Sequence, residues 1–299
     1  MASHLIPLFG ALGTTCGRAA AVVLALALLA PLAGHAATPA ASEPTTAATN
    51  TAPDAERFFD SIVKVRARAV PNARSSATLG QEREGTGVVI GDDGLILTVG
   101  YLIVEADEVS LVDQRGRILP ARVIAYDHAT GLGWLRAVVP LTASPLPLGE
   151  SGKLADREPM MIVNHAGPDD VTRAYVVSTR PFTGSWEYLL EQAIFTSPPT
   201  LNWSGAALVN KDLQLVGIGS LIVREASVGE ATLPGNMFVP IDALKPILAD
   251  LVRTGRRAGP ARPWLGVATD EVQGRLQVSR VSPEAPVPGP ESTEYSTAS

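Results

Sequence analysis

Val63 to Val70 (VKVRARAV) alternates apolar and basic residues with a period of two, the pattern of a strand with one face in a core and the other in water. Gly85 to Ile90 and Leu95 to Val99 are two apolar β runs joined by Gly91-Asp92-Asp93-Gly94, which predicts a hairpin. Further short strands are expected over 108–112, 118–126, 132–137, 159–163 and 172–178. A second hairpin spans 206–210 and 213–222, turning at Asn210-Lys211-Asp212. Strands at this spacing without interleaved helices predict an all-β barrel or sandwich. Helical spacing occurs twice. A short segment from Asp54 to Ile62 turns Phe58, Phe59 and Ile62 to one side. Ile241 to Arg253 carries apolar residues at 241, 244, 247, 248, 251 and 252, with Asp242 in its first turn and Gly255 beyond its last.

The ends of the chain read differently. Arg18 precedes an apolar run from Ala19 to Leu32, and a small-residue stretch closes at Gly34-His35-Ala36, which predicts a secretory signal peptide over 1–36. Pro31 interrupts that run, and it falls short of the ~20 apolar residues a spanning helix needs, so no membrane span is expected after cleavage. Residues 37–53 are an Ala/Thr/Pro-rich linker, 54–255 the main folded domain, and 256–263 a basic, Pro/Gly-rich linker. Two strands are expected around Trp264-Leu265-Gly266-Val267 and Leu276-Gln277-Val278, within a fragment over 264–287, followed by a disordered tail over 288–299.

Composition narrows the chemistry. With 46% hydrophobic and 18% charged residues among 299, a packed core is expected rather than disorder. Lysine and arginine number 24 against 30 acids, a net charge of −6, which excludes nucleic acid and anionic lipid as main partners. Signal cleavage removes Cys16, His4 and His35 and leaves His128 and His165. The remaining chain then has no disulfide, thiol nucleophile or Cys/His zinc cluster, and no cofactor or metal is expected. Any imidazole chemistry rests on those two histidines.

The sharpest local feature is Asn202-Trp203-Ser204-Gly205-Ala206-Ala207-Leu208. It reads in two ways, as an exposed nucleophile on a tight turn or as a Ser-Gly turn that opens a hairpin. Longer stretches bear on the choice: GTGVVIGDDGLILT at 85–98, ADEVSLVDQRGRILPARVIAYD at 106–127, LPLGESGKL at 146–154, NWSGAALVNKDLQLVGIGS at 202–220, MFVPIDALKPILADLV at 237–252 and WLGV at 264–267. In order and spacing, from about Phe58 to Val267, the chain resembles the HtrA/Deg-type trypsin-like serine proteases. The resemblance implies two six-stranded β-barrels with the active-site cleft between them and then a PDZ domain, with the C-terminal helix read above over 241–253 between the two.

The same resemblance assigns the catalytic positions. The family's serine corresponds to Ser204. Its histidine, three positions after the strand ending Ile-Leu-Thr, corresponds to Tyr101. Its aspartate corresponds to Gly131, in Asp127-His128-Ala129-Thr130-Gly131-Leu132-Gly133. A serine hydroxyl needs an adjacent base, and a tyrosine ordinarily titrates near 10, so it is no base at neutral pH. Glycine offers no group to orient a base. Asn202 stands in place of the glycine two residues before the serine, where an oxyanion cradle would form. Trp203 either fills space that a substrate chain needs or is an ordinary rim tryptophan. At the C-terminus, WLGV and Val281-Ser282-Pro283-Glu284-Ala285 resemble the start of a PDZ domain, truncated before its peptide groove is complete.

The expected function is therefore that of a periplasmic or secreted pseudoprotease with a binding or regulatory role. Its partner is a polypeptide, with self-association or assembly with active homologues as a further expectation. The alternative is a working endopeptidase of envelope protein quality control that uses Ser204 with a non-standard base.

Overall fold

The computed structural model describes residues 51–184, 189–227, 229, 232–260 and 265–281. The expected signal peptide, most of the following linker and the 288–299 tail lie outside the described residues. An amphipathic helix α1 (Thr51–Asp60) begins three residues before the expected start of the folded domain and ends before Ile62. It leads into β1 (Ile62–Ala69), where Val63, Val65, Ala67 and Ala69 are buried. The basic residues between them point outward. Lys64 and Arg66 pair with Glu84, and Arg68 with Glu108.

After a four-residue helix α2 (Ser76–Leu79) come β2 (Glu82–Val89), β3 (Leu95–Val99), β4 (Ala106–Val112), β5 (Ile118–Asp127) and β6 (Leu132–Ala137). They close into a barrel of order β1-β2-β3-β6-β5-β4. A second closed barrel, of order β10-β11-β12-β9-β8-β7, is built from β7 (Pro159–Val163), β8 (Val171–Phe182), β9 (Leu190–Ser197), β10 (Ala207–Val209), β11 (Leu215–Val223) and β12 (Gly235–Pro240). Closure leaves neither sheet a free edge. One cluster of buried side chains, including Trp134, Leu132, Val163, Ile218 and Val239, runs through both barrels. A second cluster, with Ile162, Val176, Ile194, Leu208 and Phe238, fills the interior of the second barrel. The fold is thus an all-β double barrel of the trypsin type.

Two strands carried too weak a pattern to be singled out. The first is β9. The second, β12, begins Gly-Asn and ends in proline, residues that ordinarily mark turns. The continuous helix expected over 241–253 is broken. A 3-10 turn covers Ile241–Ala243, and the helix proper, α3, covers only Leu248–Thr254. Pro246 lies in the gap; it donates no backbone hydrogen bond and disfavours helical geometry in the residue before it. Gly255 caps α3 in the left-handed conformation, its N–H donating to Leu251 O. Near the C-terminus, β13 (Val267–Val272) and β14 (Arg275–Val281) form a two-stranded hairpin, with Trp264 outside the described residues.

Candidate functional site

The position expected to hold a base lies just past β3. Strand β3 ends at Val99, and a 3-10 turn over Gly100–Leu102 carries Tyr101. Gly100 N donates to Gly131 O at 2.6 Å, so the Tyr101 turn and the Gly131 loop meet through their backbones. Gly131 has φ +74°, a left-handed conformation that glycine adopts at no steric cost. Beside it, the buried Asp127 carboxylate accepts from Thr130 N and Oγ1 and from Arg257 Nη2 at 2.9 Å. His128 is exposed, with its ring edge-on to Tyr126.

Ser204 arrives from the other barrel, on the turn before β10. Thr86 N donates to Ser204 O at 2.8 Å, and Gly205 has φ +72° with its N–H on Gly219 O. A Cβ built on Gly85 would stand 2.5 Å from Leu102 Cδ1 and 3.0 Å from Ser204 Oγ, so Leu102 and the serine side chain crowd the same glycine. Ser204 Oγ is shielded from solvent and has no hydrogen-bond partner. Tyr101, from the first barrel, reaches the second, where its hydroxyl donates to Ser220 O at 2.8 Å.

Neither histidine serves the serine. His165, half-buried after β7, engages Thr86 instead: its N–H donates to Thr86 Oγ1 at 3.0 Å, and that oxygen lies 3.2 Å from Nδ1. Burial, and secondarily Lys64, pulls this imidazole below its ordinary range. Where the resemblance places an oxyanion cradle, Asn202 N donates to Thr200 Oγ1 at 3.3 Å, and its Nδ2 donates to Asp170 Oδ2 at 2.6 Å. Asn202 does not adopt positive φ. Trp203 is half-buried, and its carbonyl accepts from Ala206 N at 3.0 Å.

Sequence reasoning passed over the residue that holds the Tyr101 turn. Arg83, 5% exposed, donates through Nη1 to Tyr101 O at 3.1 Å and Val104 O at 2.6 Å, through Nε to Gly80 O and through Nη2 to Ser75 Oγ. Ser75 in turn donates to the Glu105 carboxylate from both its backbone and its hydroxyl. Burial draws the Arg83 guanidinium below its usual range, and Glu105 opposes that shift. The hydrogen bonds from Ser75 hold Glu105 below the usual carboxylate range. The signal was present in Glu82-Arg83-Glu84-Gly85, where Arg83 falls in phase with the inward-facing positions of β2.

Among the described residues no three His, Cys, Asp or Glu side chains converge as a metal site, and no helix is long and apolar enough to cross a membrane. The trypsin-like peptidase domain family matches residues 85–218. The chain is 26% identical over 247 residues to the serine endoprotease DegS of Haemophilus influenzae, covering 76% of this chain and 70% of that protein. It is 28% identical over 219 residues to the serine protease PepD of Mycobacterium tuberculosis, covering 66% of this chain but only 47% of that protein. In fold it is similar to the HtrA-type protease AlgW solved with a decapeptide, with a TM-score of 0.53 and 19% identity, covering 77% of this chain and 79% of that one. On sequence and architecture together, the chain is similar to the HtrA/Deg-type trypsin-like serine proteases.

Proposed function

We propose that this protein is a pseudoprotease: an HtrA-type double barrel that has lost acyl transfer and acts by binding or regulating a polypeptide partner. The observation that carries this reading is the pairing at the seam between the barrels. Tyr101, at the base position, spends its hydroxyl on Ser220 O, while Ser204 Oγ is buried without a partner. A serine nucleophile needs an adjacent base, and loss of the base alone costs on the order of 10⁶ in turnover. Gly131 supplies nothing to orient one, and the Asn202 N–H is already engaged by Thr200 rather than left open for an oxyanion.

The partner class follows by analogy from the AlgW structures solved with short peptides. Location follows by analogy from a DegP-like relative described as probably periplasmic, together with the apolar leader read over 1–36. In this reading the chain has a signal peptide (1–36), a linker (37–53), the double barrel, a second linker (256–263), a PDZ-like fragment (264–287) and a tail (288–299), and it assembles with itself or with active homologues.

The test is hydrolysis of unfolded casein by the full chain against Ser204→Ala. Equal residual rates support the pseudoprotease. Turnover by the wild type that Ser204→Ala abolishes establishes instead an endopeptidase with a non-standard base.

A further inference from the structure

Residues 164–170 tie the two barrels together at one corner. Asn164 and His165 follow β7, and a 3-10 turn over Gly167–Asp170 leads into β8. From the first barrel, fully buried Thr86 meets this loop through its hydroxyl, which accepts from His165 N at 3.0 Å and lies 3.2 Å from His165 Nδ1. The Thr86 backbone N–H holds Ser204 O at 2.8 Å, and Thr86 O accepts from Thr98 Oγ1 at 2.7 Å. At the far end of the loop, the Asp170 carboxylate accepts from Asn164 Nδ2 and from Asn202 Nδ2. One short loop therefore grips the Ser204 turn twice, through Thr86 and through Asn202.

With the ring neutral and Nδ1 unprotonated, every atom at the contact is satisfied. The Thr86 hydroxyl accepts from the His165 backbone and gives its own hydrogen to Nδ1. A proton on Nδ1 removes that acceptor. The Thr86 oxygen can accept from both His165 donors, but its own hydroxyl hydrogen is then left fully buried with its acceptor gone, a penalty of the kind that breaks buried contacts. The charged groups facing the ring are Lys64 and Arg66 on β1, Glu84 on β2 and Asp170 on the 3-10 turn; Lys64 and Arg66 oppose the proton, while Glu84 and Asp170 favour it.

We propose that the Thr86–His165 contact is an acid-released clasp, and that protonation of His165 loosens residues 164–170 and with them the Ser204 turn. The clasp does not depend on whether Ser204 reacts, so it stands apart from the loss of catalysis. Because the imidazole lies below its ordinary 6.5 in the fold, its contribution to stability is whole above that value and declines as the pH falls through it toward the folded-state value.

Amide hydrogen exchange on the full chain, corrected for intrinsic chemistry, tests this between about pH 7.5 and about pH 5, the range in which histidine titrates. Protection at 164–170 and 200–206 should fall on acidification, by about tenfold for each pH unit by which the fold lowers the imidazole. His165→Gln should flatten that dependence. PH-independent protection in the wild type, or the same fall in His165→Gln, overturns the proposal. Imidazole carbon resonances of the wild type give a second readout that requires no histidine variant. His165 should titrate below 6.5, and Thr86→Val, which removes the hydroxyl but keeps the shape, should move it upward. Titration at or above the ordinary value, or indifference to Thr86→Val, also overturns it.

Discussion

The Tyr101 hydroxyl donates to the Ser220 carbonyl at 2.8 Å, joining residues 119 positions apart and stitching one barrel to the other across the expected active site. At the position expected to hold the base, the tyrosine thus makes a structural bond. Tyr101→Phe keeps the ring and removes the bond, so it should destabilise the fold by roughly 1 kcal/mol, the net worth of one neutral hydrogen bond. Urea unfolding of the two proteins measures this directly. Indistinguishable midpoints would show that the bond is not formed in solution.

Gly205 should tolerate no side chain. It sits at φ +72°, and a Cβ there would stand 2.0 Å from Thr86 O and 2.8 Å from Thr98 Oγ1. The backbone neighbour cannot move without breaking the Thr98 hydrogen bond to Thr86 O. Gly205→Ala is therefore expected to cost about 3 kcal/mol or more, from left-handed strain and steric clash together. A melting temperature close to wild type would contradict the tight contact between the Ser204 turn and β2.

The Glu105 latch gives a pH dependence of known sign. Its carboxylate is held below the usual value of 4.5 by the Ser75 hydroxyl and backbone N–H. The stability it lends is present above that value and is lost as the pH falls through the lower folded-state value. Glu105→Gln should therefore be less stable than wild type at neutral pH, with the gap closing below about pH 4. Thermal unfolding across that range checks it, and a gap that stays constant with pH would rule the ionised latch out.

The alternation of VKVRARAV was enough to place β1, because its inward methyls and outward charges differ in kind at every step. Both predicted hairpins formed for a different reason: their strands are apolar and buried with no alternation, and the turn residues Gly91-Asp92-Asp93-Gly94 and Asn210-Lys211-Asp212 marked them locally. Asn210, marked as a turn, accepts from Asp212 N and Gln214 N, a local bond that sequence can report. The helix over 241–253 was misjudged because apolar spacing does not register Pro246. At the candidate site, the resemblance identified which positions to inspect. It could not reveal where Tyr101 goes, since Ser220 is remote in sequence, nor that His165 is claimed by Thr86, 79 positions away. Long-range polar pairing leaves no local pattern to read.

On the proposed reading, gaining catalysis should need more than side chains at the positions of Tyr101 and Gly131. Tyr101→His with Gly131→Asp supplies a base and an orienting carboxylate, but the aspartate must take the left-handed conformation of Gly131. Asparagine and aspartate tolerate that region better than most residues, yet at some strain. The Asn202 N–H also remains engaged by Thr200. The double variant should stay inert on casein, and adding Asn202→Gly should bring the first Ser204-dependent turnover. Activity in the double variant alone would show that the oxyanion position is already competent.

The central claim is that the Ser204 hydroxyl is unactivated, and its reaction with a fluorophosphonate probe tests that most directly. Intact-mass analysis of the full chain after prolonged incubation at neutral pH should find no adduct, with Ser204→Ala indistinguishable from wild type. Stoichiometric labelling of the wild type, mapped to Ser204 and lost in Ser204→Ala, would contradict the account.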